Sequence, residues 1–178
     1  MSKKASFIHK KVGKILSKAI PADSGYTLLR DPACGGKQHI PLFYTSKKAR
    51  MTEYCNVDLL VLKGNEIKVI VEIEESNVKP TQICGKFLTS ALSKYYIHDS
   101  AKNKPAKMAD FVSFIQIVDT SKLVRDKTAK FEQWKALEKS IKGILPIKDS
   151  KITDYRLLTT DQMEKLVSMI KAILGSLS

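Results

Sequence analysis

Three carboxylates stand within one largely apolar stretch. Residues 57–76 read VDLLVLKGNEIKVIVEIEES, with Asp58 ahead of the first apolar run and Glu72 and Glu74 at the end of the second. An unpaired carboxylate is expensive to bury, so acids here need a metal ion, a lysine or solvent as partner. If Asp58, Glu72 and Glu74 converge, an all-oxygen ligand set without Cys or His suits a hard divalent ion, Mg²⁺ or alternatively Mn²⁺. Such an ion offsets phosphate charge, lowers the pKa of a bound water and stabilises a departing oxygen, which is the chemistry of phosphodiester hydrolysis.

Convergence depends on register. Side chains alternate along a strand, so Glu72 and Glu74 are expected to share a face with Ile70 and Lys68, and Ile67, Val69, Val71 and Ile73 to cover the other. A two-residue Gly64-Asn65 turn with unbroken pairing sets Asp58 opposite Val71, on the wrong face. A three-residue loop or a β-bulge sets it opposite Glu72. A three-carboxylate centre therefore requires an odd loop or a bulge. The competing expectation is an exposed edge strand on which Glu72 and Glu74 pair with Lys68 or Lys86. Glu53, upstream, reads as an outer ligand or a surface acid, and Glu75 as a residue pointing the opposite way.

The elements that must position these residues follow from pattern. Ile8, Val12, Ile15, Leu16 and Ala19 recur at helical spacing over 5–20, ended by Pro21 and Gly25. A short strand is expected at 40–44, then a basic connection, then the hairpin. A helix begins near Pro80, a residue suited to a first turn, with Ile83, Phe87, Ala91 and Tyr95 on one face. A loop over 99–109, a strand at 111–118 and a helix over 122–143 striped by Phe131, Trp134, Leu137 and Ile141 come next. ITDYRLL reads as a last strand, and Thr159-x-x-Gln162 as a capping box before the final helix. Strand–helix–strand links of this kind favour parallel crossovers, so the fold class is α/β: one domain over 1–178, a central mixed sheet flanked by helices.

Composition bears on partners. The 178 residues carry a formal charge of +13 and a pI near 9.6, which favours a polyanion: nucleic acid first, an anionic membrane surface second. A solvated lysine-rich surface is the bland alternative. Lys3, Lys4, Lys10, Lys11, Lys14 and Lys18 either track a phosphate backbone or solubilise a helix, and Lys47, Lys48 and Arg50 are candidate phosphate contacts. No apolar run is long enough to span a bilayer. The N-terminus has lysines spread through its apolar part, unlike a secretory signal, so a cytoplasmic location is expected. Cys34, Cys55 and Cys84 match no zinc spacing and read as reduced thiols. His9, His39 and His98 are scattered singly.

Asp58, a turn, Glu72-Ile73-Glu74 at the end of the next strand and a following helix resemble the core of the PD-(D/E)XK nucleases, over about residues 40 to 120. The resemblance implies a restriction-endonuclease-like three-layer sandwich and a metal-dependent DNA endonuclease, with Asp58 and Glu72 as metal-binding acids. It departs from the pattern in placing Glu74 where the family's lysine usually stands, and Val57 where a proline often precedes the aspartate. Some restriction enzymes are similar in having glutamate there. By that likeness Glu74 binds a second metal or accepts a proton, or Lys86 on the next helix supplies the missing charge, with Gln82 one turn earlier positioning phosphate or water. Cleavage of both strands of a symmetric site implies a homodimer on double-stranded DNA. The segments 45–52 and 99–109 are candidates for DNA contact. A structure-selective repair nuclease of junction-resolvase type, and a nucleic-acid-binding relative that has lost catalysis, are the alternatives.

Overall fold

The computed structural model describes residues 7–74, 77–123 and 127–176. Lys3, Lys4, Glu75 and the expected helical positions 5–6 and 124–126 lie outside them. The elements in chain order are α1 (Phe7–Ala19), β1 (Tyr26–Arg30), β2 (Pro41–Phe43), β3 (Glu53–Asn56), β4 (Leu59–Lys63), β5 (Glu66–Glu74), α2 (Pro80–Leu92), β6 (Tyr95–Tyr96), β7 (Ala106–Val118), α3 (Lys127–Gly143), β8 (Ile152–Thr159) and α4 (Met163–Ser176).

A mixed sheet runs β1-β4-β5-β7-β6-β2-β3, with β8 pairing the C-terminal half of β7. The links β5-α2-β7 and β7-α3-β8 give parallel pairs, as the pattern of strands and helices requires. β3 passes into β4 through Val57 and Asp58, so the far edge of the sheet curls back around α2.

Helices cover both faces. Ile8, Val12 and Leu16 of α1 and Leu166, Ile170 and Leu174 of α4 pack on Leu59, Val61, Val69, Val71 and Ile73. On the other face Ile83, Phe87 and Ala91 of α2 and Trp134 and Ile141 of α3 meet Leu60, Ile67, Ile70 and Phe114. Helix starts are closed by side chains: Gln82 Oε1 accepts the Lys79 N–H at 2.9 Å, and Gln162 Oε1 accepts that of Thr159 at 3.3 Å, one half of the expected capping box.

Several elements differ from expectation. β1 and β3 were hidden in segments whose polar residues mask period-2 alternation; YTLLR and EYCN are short edge pieces. Tyr95 does not continue the α2 face, because the helix ends at Leu92 and Tyr95 enters β6. β7 begins at Ala106, inside the expected loop 99–109, where β6 and β5 supply partners that a single-segment pattern cannot reveal. Residues 122–123 precede α3 instead of opening it.

The hairpin resolves the register. Gly64 and Asn65 form a two-residue turn with Gly64 at φ +58, pairing Lys63 with Glu66 and Leu62 with Ile67. The next pair is Val61 with Val69, so Lys68 is an extra residue, a β-bulge. Leu59 then meets Val71, which sets Asp58 opposite Glu72. The bulge also corrects the expected faces. Ile67 joins Ile70 and Leu60 on the α2 side and parts from Val69, Val71 and Ile73. Lys68 turns back to Glu66 at 3.0 Å instead of pairing with Glu72 or Glu74.

Candidate metal and phosphate site

Glu72 and Glu74 end the central strand β5, flanked by β4 and β7, and are 1% and 6% exposed. They do not form an exposed edge face. Asp58, just before β4, is anchored by the Ile73 N–H, which donates to Oδ2 at 2.7 Å. Lys86, in the second turn of α2, points its ammonium at both glutamates, 3.0 Å from Glu72 Oε2 and 3.2 Å from Glu74 Oε1. The four residues named from sequence as catalytic therefore stand together, and Lys86 enters from the helix.

Behind them runs a buried polar chain. Gln116, opposite Glu72 on β7, donates to Glu74 Oε1 at 3.2 Å and accepts from the Tyr155 hydroxyl at 2.7 Å. Both residues are fully buried. Tyr155 has its phenol held neutral by burial, so it serves as a donor that fixes the amide orientation of Gln116.

The charge balance is negative. Asp58, Glu72 and Glu74 outnumber Lys86, and burial pushes the Glu72 carboxyl well above its ordinary range, partly opposed by Lys86 and reinforced by Asp58. Burial raises Glu74 too, against Lys86 and Gln116. Burial alone would lower the Lys86 ammonium, but Glu72, Glu74 and Asp58 outweigh it and hold its pKa above the usual lysine value. Glu72 Oε1 is buried and has no hydrogen-bond partner. A buried acceptor without a donor, next to a second carboxylate, is an opening for a proton or a cation. The oxygen donors Asp58, Glu72 and Glu74 fit a hard divalent ion; Lys86 partly occupies the position between the two glutamates.

Residues that the sequence reading did not assign also gather here. His9 of α1 places Nε2 3.8 Å from Asp58 Oδ1, and its Nδ1 is buried without a partner. Asp31, Cys34 and Asp58 each bring a ligand atom within 4.8 Å of the others. Burial, then the charges of Asp58 and Asp31, push the Cys34 thiol upward; protonated, it is a poor metal ligand and packs as core beside α1. Gln116 had a legible cue as a long polar side chain inside FVSFIQIV. His9 and Asp31 had none, because they reach Asp58 through chain folding alone.

A cavity of about 430 Å³ opens on the carboxylates, lined by His9, Ile73, Glu74, Asn77, Val78, Gln82 and Lys86. Gln82 thus borders the site while its Oε1 caps α2. Lys47, Lys48 and Arg50 do not. Their segment follows β2 beyond the far end of α2, where the Lys94 N–H donates to Phe43 O at 2.8 Å, and Lys48 pairs with Asp99 at 2.7 Å. The two segments proposed for DNA contact, 45–52 and 99–109, meet each other there, at the β6 end of β7. That end pairs with Glu66, roughly 20 Å along β5 from Glu72. Glu53 is exposed and held by Asn56 at 2.6 Å, away from the carboxylates.

Among the described residues no helix is long and apolar enough to cross a membrane. No family model, no curated protein and no solved structure matches this chain.

Proposed function

We propose that the chain is a divalent-metal-dependent DNA endonuclease of restriction-endonuclease-like architecture, hydrolysing phosphodiester bonds. The observation that carries this reading is the Lys68 bulge, which brings Asp58 opposite Glu72 and leaves a buried Glu72 oxygen without a donor beside it. Asp58, Glu72 and Glu74 would hold Mg²⁺ or Mn²⁺, and the ion would supply charge neutralisation of phosphate and a more acidic water. Asp58 is oriented for this by the Ile73 N–H, and Glu74 by Gln116. Lys86, freed from one glutamate when a cation arrives, can turn toward a phosphate oxygen. Net charge +13 supports a polyanionic substrate. A homodimer on double-stranded DNA would supply two such centres.

Incubating the purified protein with supercoiled and linear DNA in Mg²⁺, Mn²⁺ or EDTA, beside a Glu72→Ala control, tests the reading. Metal-dependent fragments that disappear in the variant are expected. Intact DNA under every condition, branched substrates included, overturns it.

One observation favours a second reading, a nucleic-acid-binding relative without catalysis: Lys86 already pairs with both glutamates and so reduces their need for a metal. Calorimetric titration with Mn²⁺ separates the two, since a silent site binds the ion poorly while still binding DNA.

A further inference from the structure

A second cavity, of about 550 Å³, lies at the carboxyl ends of the parallel strands β7 and β8, the edge where α/β sheets commonly receive ligands. It adjoins the carboxylate site. The Asp119 N–H donates to Glu74 O at 2.8 Å, and consecutive residues of α1 line the two cavities, Ile8 this one and His9 the other. Its lining mixes three kinds of group. Lys11 and Lys127 make no ion pair among the described residues. Phe7 is 83% exposed at the mouth, and Phe131 forms part of the wall. Between them stand Thr120, Thr160 and Asp161, joined by hydroxyl bonds of 2.6 and 3.1 Å.

A plain basic patch has neither aromatic rings nor acceptors. This lining offers lysines for a phosphate, ring faces for stacking, and a carboxylate and hydroxyls for base or sugar N–H and O–H groups. From this combination we infer that the cavity holds one unpaired nucleotide of the strand bound at the Asp58–Glu72–Glu74 centre, an inference that rests on the nucleic-acid reading given above. A base inside a duplex cannot reach Phe7, so the nucleotide must be unstacked.

Trp134 supplies the reporter. It is the chain's single tryptophan, is buried, and meets Phe131 edge-on at 5.6 Å between ring centres. Titrations in EDTA, where no cleavage occurs, use a short oligothymidylate and a blunt duplex of equal length. The single strand is expected to change Trp134 fluorescence saturably and the duplex to bind at least tenfold more weakly. Lys11→Ala with Lys127→Ala should reduce the salt dependence of single-strand affinity, lowering the log–log slope by about 1.4 for two lost phosphate contacts. Phe7→Ala, at an exposed position that leaves the core intact, should weaken binding about tenfold. Equal binding of duplex and single strand, or wild-type affinity and slope in folded variants, overturns the inference. A wild type that binds in this way but never cuts removes the nuclease reading alone. One that cuts while the variants bind normally removes this inference alone.

Discussion

Lys86 Nζ stands 3.0 Å from Glu72 Oε2, joining the second turn of α2 to the end of β5. Removing one member of a buried pair leaves the other charge uncompensated, whereas removing both does not. Lys86→Met is therefore expected to lower stability by about 1–3 kcal/mol, below the range for fully buried pairs because its side chain is partly solvated. Lys86→Met with Glu72→Gln should recover most of that loss. Urea denaturation of the three variants measures it, and additive losses would show that the pair is not coupled.

Asp58 has two separable roles. Asp58→Asn retains an oxygen to accept the Ile73 N–H but lacks the charge, while Asp58→Ala leaves that N–H without its acceptor. The alanine variant should lose about 1–3 kcal/mol and the asparagine variant less than about 1 kcal/mol, with both failing to cut DNA. If asparagine retains full cleavage, Asp58 is a structural acceptor and not a ligand.

The pH dependence follows from Glu72. Its folded pKa lies above the unfolded one, so its contribution to stability is full below the ordinary carboxylate range and declines as pH rises through the raised value. Lys86, raised as well, contributes fully below the ordinary lysine range, so it adds no slope in that window. Melting temperature should thus fall with rising pH above the carboxylate range in the wild type and fall less in Glu72→Gln. A metal displaces the proton, so the rise in melting temperature given by Mn²⁺ should increase across the same window. Identical wild-type and Glu72→Gln profiles would place the pH dependence elsewhere.

What the sequence made legible and what it hid divide along a physical line. Apolar periodicity revealed α1, α2, α3 and the cores of β4, β5 and β7, because burial is periodic within a segment. The register argument reduced the carboxylate question to a loop or a bulge, and Lys68 is that bulge. Its position was not legible, since nothing in EIKVI distinguishes Lys68 as the unpaired residue until β7 is laid beside β5, where the same register shifts. Lys86 was found because its helix follows directly on the strand it serves. His9, Asp31 and Tyr155 come from distant segments, and the basic run at 47–50 was placed near the site by sequence proximity, whereas β3 carries it to the other end of α2.

The loop that holds Asp31 and Cys34 against Asp58 depends on close approach by α1. A Cβ at Gly13 would run into the carbonyl oxygen of Cys34, whose N–H in turn binds Asp31 Oδ1 at 2.8 Å, while the Asp31 N–H donates to Asp58 O at 2.9 Å. Gly13→Ala must therefore push α1 or this turn outward, with an expected loss of about 1–3 kcal/mol from overpacking, and it should weaken Mn²⁺ binding although no ligand is removed. Gly85→Ala on α2 supplies the contrast. Its added Cβ meets nothing within 4 Å, so better helix propensity should raise stability by about 0.5–1 kcal/mol. Denaturation midpoints moving in opposite directions would establish that the packing of α1 on the Cys34 turn, and not helix propensity, governs the Gly13 position; a gain at both sites would refute it.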